Sequence, residues 1–244
     1  MLADYEKYAS AALKSFATRE KSSRYLLTDA VEDLNPQTIL DLGCGAGQEL
    51  LPFLEKTGAV CVGVDIAPEL GKITSATFAG EKRAVFVRST GENLPFDDAS
   101  FDIVLCRVAL PYMDNSQTIA EIGRILKPEG VLLLKTHAPM FYLGMIFERS
   151  KTLNPKKIAY PLICLIASFW HFFTGKQLRK GFWQGKEIFQ TRSFLNREFA
   201  KNKLKIEGFL SDDNRRTPSL VVVKMALLKV FFAAQILSES GFMS

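Results

Sequence analysis

The sequence has few of the residues that build metal sites and disulfide frameworks, with four cysteines and two histidines among 244 residues. No two cysteines are spaced as C-x-x-C, so we expect neither a zinc or other metal site nor a disulfide scaffold. The first ten residues, MLADYEKYAS, carry charges where a signal peptide needs an apolar stretch. A reducing cytoplasm is therefore the expected compartment. We find no internal repeat and no low-complexity linker.

The charge is unevenly distributed along a chain whose composition is typical of a globular protein, with 48% hydrophobic and 23% charged residues. Residues 1–137 have 14 basic and 19 acidic side chains, whereas residues 138–244 have 17 and 7. The net charges are therefore −5 and +10. The basic half is suited to a membrane, an anionic substrate or nucleic acid, or it is a solvated basic surface.

The middle of the chain alternates between strand and helix patterns. Short apolar runs predict buried strands at Thr38–Leu42, Val60–Asp65, Ala84–Arg88, Phe101–Cys106 and Val131–Thr136. Helical periodicity between them predicts helices at Gln48–Thr57, Pro68–Phe78 and Ser116–Leu126. This alternation is typical of an α/β fold with a doubly wound, mostly parallel Rossmann-like sheet.

The flanking segments follow other patterns. Apolar spacing near the N-terminus predicts two helices, the second over Arg19–Leu34. Beyond the last parallel strand we expect a helix at Arg192–Lys203 and an antiparallel edge formed by Leu204–Leu210 and Ser219–Met225. The predicted organisation has five segments: N-terminal helices (1–36), a Rossmann-like core (37–137), an inserted helical aromatic cap (138–190), the last helix with the edge strands (191–225), and an apolar tail (226–244).

A glycine-rich turn follows the first predicted strand, in the run Ile39–Glu49. Gly43, Gly45 and Gly47 lack a Cβ, so the backbone can approach a ligand closely there. The helix that follows would bring its partial positive end near that ligand. Asp41 precedes the turn.

The spacing of this turn argues against a dinucleotide. A dinucleotide fingerprint, G-x-G-x-x-G, needs glycine at position 48, where this chain has Gln48. The carboxylate of Asp41 would repel a pyrophosphate but suits an ammonium group. Asp65, at the end of the second strand, can accept hydrogen bonds from ribose hydroxyls, which indicates an adenosine.

These motifs resemble class I S-adenosylmethionine-dependent methyltransferases, in particular the bacterial small-molecule group that includes the quinone-biosynthesis enzymes. The resemblance covers about residues 38–136. It extends through three later motifs, at residues 91–96, 100–104 and 121–130. It implies S-adenosyl-L-methionine as the cofactor.

The resemblance also implies roles for matching positions. Nine residues would bind the cofactor. Asp41 would orient the cofactor's amino group through water, Gly43, Gly45 and Gly47 would line the methionine and ribose, and Asp65 would hold the ribose. Ile66, Thr90 and Gly91 would lie at the adenine, and Arg107 near the methionine end. The family often has an acid where Thr90 stands, and a histidine near Pro111, where this chain has Leu110-Pro111-Tyr112.

Several residues allow a functional and a structural interpretation. Asp65 could instead cap the helix that follows it, and Glu92 could be solvated. His137 follows the fifth strand, where ligands bind in open α/β sheets, so it is a weak candidate for a general base. Pocket lining or a structural role is the alternative. His171 lies in an aromatic run and is expected to be structural.

The insertion contains Ile158–Gly175, which has 18 residues and no Lys, Arg, Asp or Glu. That length is at the lower limit for a membrane span. Crossing would separate the last two strands from their sheet, so we expect the segment to lie in a membrane interface or to form a substrate cap inside the protein. Membrane association is therefore an open expectation.

Three functions remain as candidates. The first is methyl transfer to an apolar or amphiphilic small molecule. The second is RNA modification, although Cys106-Arg107-Val108 stands where base-methylating enzymes usually have an Asn/Asp-Pro-Pro-aromatic run. Nucleic acid is for that reason not the expected partner. The third is a non-catalytic cofactor-binding protein. A nicotinamide oxidoreductase is a distant fourth candidate, because of Gln48 and Asp41.

Overall fold

A seven-stranded sheet forms the centre of the protein. The structure is a computed structural model that describes residues 2–151 and 154–226. The strands, listed in chain order, are β1 (Thr38–Leu42), β2 (Val60–Asp65), β3 (Ala84–Arg88), β4 (Phe101–Arg107), β5 (Leu126–Lys135), β6 (Leu204–Phe209) and β7 (Ser219–Lys224). Their order across the sheet is β3-β2-β1-β4-β5-β7-β6. The first five are parallel, and β7 pairs antiparallel with both β5 and β6, which confirms the predicted fold class.

The buried strands match their predicted limits most closely. The strands β1, β2 and β3 begin and end at the predicted residues, and β4 is one residue longer. The strand β5 begins at Leu126 rather than Val131. Pro128 and Glu129 near its start are exposed, and the pairing with β4 shifts in register between Phe101 and Ile103. The apolar pattern therefore reports only the regular part of β5.

Helices cover both faces of the sheet. They are α1 (Leu2–Ala17), α2 (Lys21–Arg24), α3 (Leu26–Asp29), α4 (Leu51–Lys56), α5 (Leu70–Thr77), α6 (Asn115–Ile125), α7 (Pro139–Ser150), α8 (Pro155–Thr174) and α9 (Arg192–Lys201). One buried apolar cluster lies between the sheet and α6 and α9, and a second lies against α3 and α4. The continuous apolar strands are thus buried on both faces, as a parallel sheet requires.

Two helix predictions need correction. The single helix expected over Arg19–Leu34 is divided into α2, α3 and a 3-10 turn, and Asn35 adopts a left-handed conformation after that turn. Arg24 and Tyr25 both bond to Glu55 on α4, which anchors the chain where α2 meets α3. The helix expected over Gln48–Thr57 begins as a 3-10 turn at Gln48–Leu50, and α4 has only six residues. The glycine turn therefore has no long helix behind it.

The insertion lies between β5 and α9 and consists mainly of α7 and α8, which pack against each other. It leaves the sheet at the carboxyl end of β5, on the edge where the turn after β1 also lies. Tyr142, Cys164, Leu165 and Phe189 form its small buried core. The predicted apolar tail falls almost wholly on residues 227–244, which lie outside the described residues.

Candidate functional site

A cleft follows the carboxyl ends of β1, β2 and β4, the edge where ligands bind in open α/β sheets. It consists of two adjoining cavities of about 380 and 510 Å³, both lined by Gly43, Arg107 and Val108. Asp65 and the loop after β3 line the smaller cavity. Asp41 and residues of the N-terminal helices line the larger one. The two cavities have different linings, so the cleft is suited to a ligand with two chemically different ends.

Asp41 provides the most distinctive chemistry in the larger cavity. Its side chain is 2% exposed, and its Oδ2 has no hydrogen-bond partner among the described residues. Burial raises the pKa of this carboxyl well above its usual range, and the negative charges of Glu49 and Asp65 raise it further, against the opposing effect of Arg107. A buried carboxylate with an unused oxygen is costly, so the cavity is suited to a ligand that brings a cation or a hydrogen-bond donor.

The N–H groups of the three glycines in the turn are all bonded inside the protein. The N–H groups of Gly43, Gly45 and Gly47 donate to Val64 O, Asp65 Oδ2 and Cys44 O, respectively. All three glycines have positive φ, and a Cβ on Gly43 would lie 2.3 Å from the Cβ of Ala109. Because these donors are used inside the protein, the turn is poorly suited to a pyrophosphate, in agreement with the argument from Gln48. Gly45 and Gly47 are not among the lining residues of the described cavities.

The carboxylate of Asp65 links β2 to the glycine turn and also lines the smaller cavity. Its Oδ2 accepts from the Gly45 N–H and its Oδ1 from the Ala67 N–H, each at 2.9 Å. The contact with Ala67 is the structural role that the sequence left open. Each oxygen keeps a second lone pair, so the same carboxylate can still accept bonds from two hydroxyls.

The three residues predicted to bind the adenine all belong to the smaller cavity. Ile66, Thr90 and Gly91 all line it, and Ile66 is 63% exposed. A Cβ on Gly91 would lie 2.7 Å from the sulfur of Met113, so a larger residue there would require the Met113 side chain to move. An exposed apolar side chain beside a cavity offers a packing surface for a flat ring.

The insertion reaches the smaller cavity through an ion pair that the sequence did not reveal. Arg179, from the loop after α8, donates to Oε1 of Glu92 at 2.8 Å, and the same oxygen accepts from the Asp114 N–H. The interpretation of Glu92 as a solvated residue is therefore wrong. Arg179 and Tyr112 both line the cavity. The insertion thus contributes directly to the wall of the cleft.

A charged network surrounds the end of the larger cavity. Arg107 donates to Asp212 Oδ2 at 2.5 Å and to Ser219 at 2.7 Å, and Lys135 donates to the same Asp212 oxygen at 2.6 Å. Burial would raise the pKa of Asp212, but the bonds from Lys135 and Ser219 and the charge of Arg107 lower it overall. Two cations and one ionised carboxylate therefore lie beside Asp41, an arrangement suited to a zwitterion.

His137 lies near this edge but is enclosed. It is 5% exposed, stacks on Phe141 at 3.7 Å between ring centroids, and is not among the residues that line the two cavities. Its Nδ1 lies 2.8 Å from Oε2 of Glu187, which also accepts from Tyr142, while Oε1 accepts from Tyr160. Burial would raise the pKa of Glu187, but the bonds with His137, Tyr160 and Tyr142 lower it overall, which favours the ionised carboxylate. A general-base role for His137 stays a prediction. The contact between His137 and Glu187 connects the end of β5 to the insertion.

Seven of the nine predicted cofactor residues thus line one cleft: Asp41, Gly43, Asp65, Ile66, Thr90, Gly91 and Arg107. Sequence analysis missed Tyr112, Lys135, Arg179 and Asp212. The last two come from distant segments without a recognisable local motif. Within the described ranges, no group of three or more His, Cys, Asp or Glu is placed to hold a metal ion.

Comparisons with known proteins match the same region. Residues 40–134 match a family model described as a methyltransferase domain. The uncharacterized methyltransferase YcgJ of Bacillus subtilis is 41% identical over 103 residues, which are 41% of this chain and 40% of that protein. Its crystal structure has a TM-score of 0.52 at 20% identity and covers 82% of this chain and 95% of the other.

Two further proteins are similar to this chain. Sterol 4-C-methyltransferase strm-1 of Caenorhabditis elegans is 34% identical over 99 residues, 39% of this chain and 29% of that protein. Geranyl diphosphate C-methyltransferase of Streptomyces coelicolor has a TM-score of 0.57 at 13% identity and covers 88% of this chain and 82% of the other.

The chain spans well under two thirds of the length of the curated relatives named here. The particular resemblance to quinone-biosynthesis enzymes stays a prediction. The motifs, the strand order and the matched residues agree with one another. Residues 40–134 of this chain are similar to the methyltransferase-domain family, and the sheet around them has the fold of the solved methyltransferase structure of YcgJ.

Proposed function

We propose that the protein transfers the methyl group of S-adenosylmethionine to an apolar or amphiphilic small molecule. The observation that carries this proposal is the buried, unpartnered Oδ2 of Asp41 at one end of a cleft whose other end is lined by Asp65 and Ile66. An amino group fits the first position, and a ribose with its adenine fits the second.

The residues of the cleft have separate tasks in this proposal. Asp41 accepts from the amino group, and Arg107 and Lys135 face the carboxylate. Asp65 accepts from the ribose hydroxyls, while Ile66 packs on the adenine. S-adenosylmethionine, when bound, supplies an electrophilic methyl group.

The chain itself contributes mainly position. Methyl transfer from a sulfonium is an in-line displacement at the methyl carbon, with the thioether as the leaving group, so holding the acceptor in line with the carbon–sulfur bond supplies much of the rate. A thiolate or a stabilised carbanion as acceptor would need no general base in the transfer step. The enclosed His137 is compatible with such an acceptor.

The apolar character of the acceptor is supported by the wall next to Arg107. Val108, Ala109, Tyr112 and Met113 line the smaller cavity there, and the aromatic insertion adjoins it. The names of two similar proteins, a sterol methyltransferase and a geranyl diphosphate methyltransferase, point in the same direction.

Two measurements in sequence test the proposal. Isothermal titration with S-adenosylhomocysteine should show one site per chain, and NAD should show none. Mass spectrometry of lipid and quinone extracts incubated with enzyme and methyl-labelled cofactor should then reveal a labelled apolar product. Label in RNA instead would favour the RNA-modifying alternative. Binding without any transfer would favour a non-catalytic protein.

A further inference from the structure

The outer surface of the insertion carries apolar side chains that the described protein leaves uncovered. Along α8 they recur every three or four residues on one side of the helix, with exposed fractions from 45% to 78%: Leu162, Ile166, Phe169, Trp170 and Phe173. A groove of about 510 Å³ continues this surface onto Leu178 and Trp183 in the following loop. We call this surface, together with the adjoining Phe182, the aromatic face.

The opposite side of α8 is packed into the protein. Cys164, Ala167, Ser168 and His171 are all buried there. The Ser168 hydroxyl accepts from the Phe189 N–H, and His171 packs edge-to-face against Phe194 on α9. The segment Lys157–Thr174 is long and apolar enough to cross a membrane, but a third of it is buried in the protein. A helix fixed on one side in this way cannot be surrounded by lipid, so only its free side is available to a membrane interface.

The charge around the aromatic face indicates what that surface is. From residue 149 to residue 186 the sequence has eight Lys or Arg and no Asp or Glu. Lys176 and Lys180 are exposed just after α8. The Lys186 ammonium lies 5.4 Å from the ring centre of Phe182. Exposed aromatics bordered by basic side chains match the headgroup region of an anionic bilayer.

Other occupants fit less well. A second copy of the chain would bring the same basic border against itself, which is unfavourable. The apolar tail of this chain follows β7. Val223, near the end of β7, pairs with Val131 in the first half of β5. The insertion leaves from the carboxyl end of β5, so the tail begins at the opposite end of the strands.

We propose that the aromatic face docks on anionic phospholipid membranes, with α8 lying in the plane of the interface. The proposal does not depend on methyl transfer, and its test requires no substrate. It does explain how an enzyme with a cleft beside the insertion would meet an apolar substrate, since docking would bring that cleft close to the lipid.

The test is flotation of the full-length protein with vesicles of phosphatidylcholine and phosphatidylglycerol, compared with phosphatidylcholine alone. Binding should require the anionic lipid and weaken with salt. Both tryptophans of the chain, Trp170 and Trp183, belong to the aromatic face, so their emission should shift to the blue on binding. No binding to anionic vesicles at low salt, or equal binding to neutral ones, would overturn the proposal.

Matched variants locate the contact. Phe169→Ser should lower vesicle binding by about tenfold, because it removes a large apolar side chain from the interface. Phe209→Ser is the control, since Phe209 on β6 has nearly the same exposed fraction, 47% against 49%. In the same way, Lys176→Glu with Lys180→Glu should abolish the preference for anionic lipid, whereas Lys82→Glu should not.

Three results would contradict this location. If Phe209→Ser weakens binding as much as Phe169→Ser, the aromatic face is not the contact. If Phe231→Ser with Phe232→Ser, outside the described residues, abolishes binding while Phe169→Ser does not, the tail is the anchor. If the protein forms dimers without lipid and Phe169→Ser makes it monomeric, the face joins two copies.

Discussion

Replacing Asp41 by asparagine separates two effects of its buried carboxylate. One is its cost to stability when the cleft is empty, and the other is its contribution to cofactor binding. Asparagine keeps the shape of the side chain, removes its charge and replaces one accepting oxygen by a donating NH2 group. In the ligand-free protein that charge is buried, and its Oδ2 has no partner among the described residues. The variant should therefore be at least as stable as the parent when the cleft is empty, while binding the cofactor more weakly.

The expected loss follows from the bond that Asp41 would make. A hydrogen bond between a carboxylate and an ammonium group contributes about 1.5–3 kcal/mol, which corresponds to a loss of about ten- to 150-fold in affinity. The raised pKa adds a pH dependence, because only the ionised carboxyl attracts the amino group. Affinity of the parent should rise as the pH passes upward through that raised pKa, and affinity of the variant should not.

The contribution of Asp41 to the parent's free energy of unfolding should fall as the pH rises, in the opposite direction to the affinity. A carboxyl whose folded-state pKa lies above its unfolded value binds more protons in the folded state, so its ionisation destabilises the folded protein as the pH rises between the two values. The advantage of Asp41→Asn in the free energy of unfolding should therefore grow over that interval. Urea unfolding measures it directly.

Titration calorimetry with S-adenosylhomocysteine at several pH values, with urea unfolding of the same samples, tests the prediction. Ser15→Ala is a suitable control, because Ser15 lines the same cavity without a charge. Unchanged affinity in Asp41→Asn would refute the assignment of the amino group. A large loss of stability in the ligand-free variant would refute the claim that Oδ2 is unpaired.

Three further predictions concern the turn and the insertion. Asp65→Asn should weaken binding of S-adenosylhomocysteine by about 1.5–3 kcal/mol and remove the preference over its 2′-deoxy analogue, as titration calorimetry would show. Gly43→Ala should lower the free energy of unfolding by about 1–3 kcal/mol more than Gly80→Ala, since both positions have positive φ but only Gly43 lacks room for a Cβ. Glu187→Gln should lower it by about 3 kcal/mol at neutral pH, because His137 loses its buried partner. The lowered pKa of Glu187 means that this contribution is present above the ordinary glutamate range and is lost as the pH falls through the lowered value, so parent and variant should converge in acid.

One result would contradict each of these three predictions. Equal discrimination against the 2′-deoxy analogue in parent and variant would remove Asp65 from the ribose. Equal losses in the free energy of unfolding for Gly43→Ala and Gly80→Ala would mean that the strain of positive φ, and not the contact with Ala109, determines the effect at Gly43. A constant difference between Glu187→Gln and the parent across acidic pH would show that Glu187 is not ionised in the folded protein.

The fold was predictable where burial alone decides the conformation. The strands β1 to β3 are short apolar runs between polar turns, so their ends are visible in the sequence. Prediction was wrong over Arg19–Leu34, where an apolar spacing typical of one helix is interrupted at Tyr25 by bonds to Glu55. Such a contact between distant residues leaves no local pattern.

The site shows the same division. Asp41, the glycine turn and Asp65 belong to local motifs at strand ends, so the sequence was enough to place them on one edge. Asp212 and Arg179 reach the cleft from segments about a hundred positions away from their partners, Arg107 and Glu92. Only the three-dimensional fold brings these charges together.

A crystal structure of the protein with S-adenosylhomocysteine tests the central claim most directly. We expect the ligand in the cleft after β1, with its amino group within hydrogen-bond distance of Asp41 Oδ2 and its ribose hydroxyls on Asp65. A ligand bound with its amino group away from Asp41, or a cleft that stays empty at saturating ligand, would contradict the account.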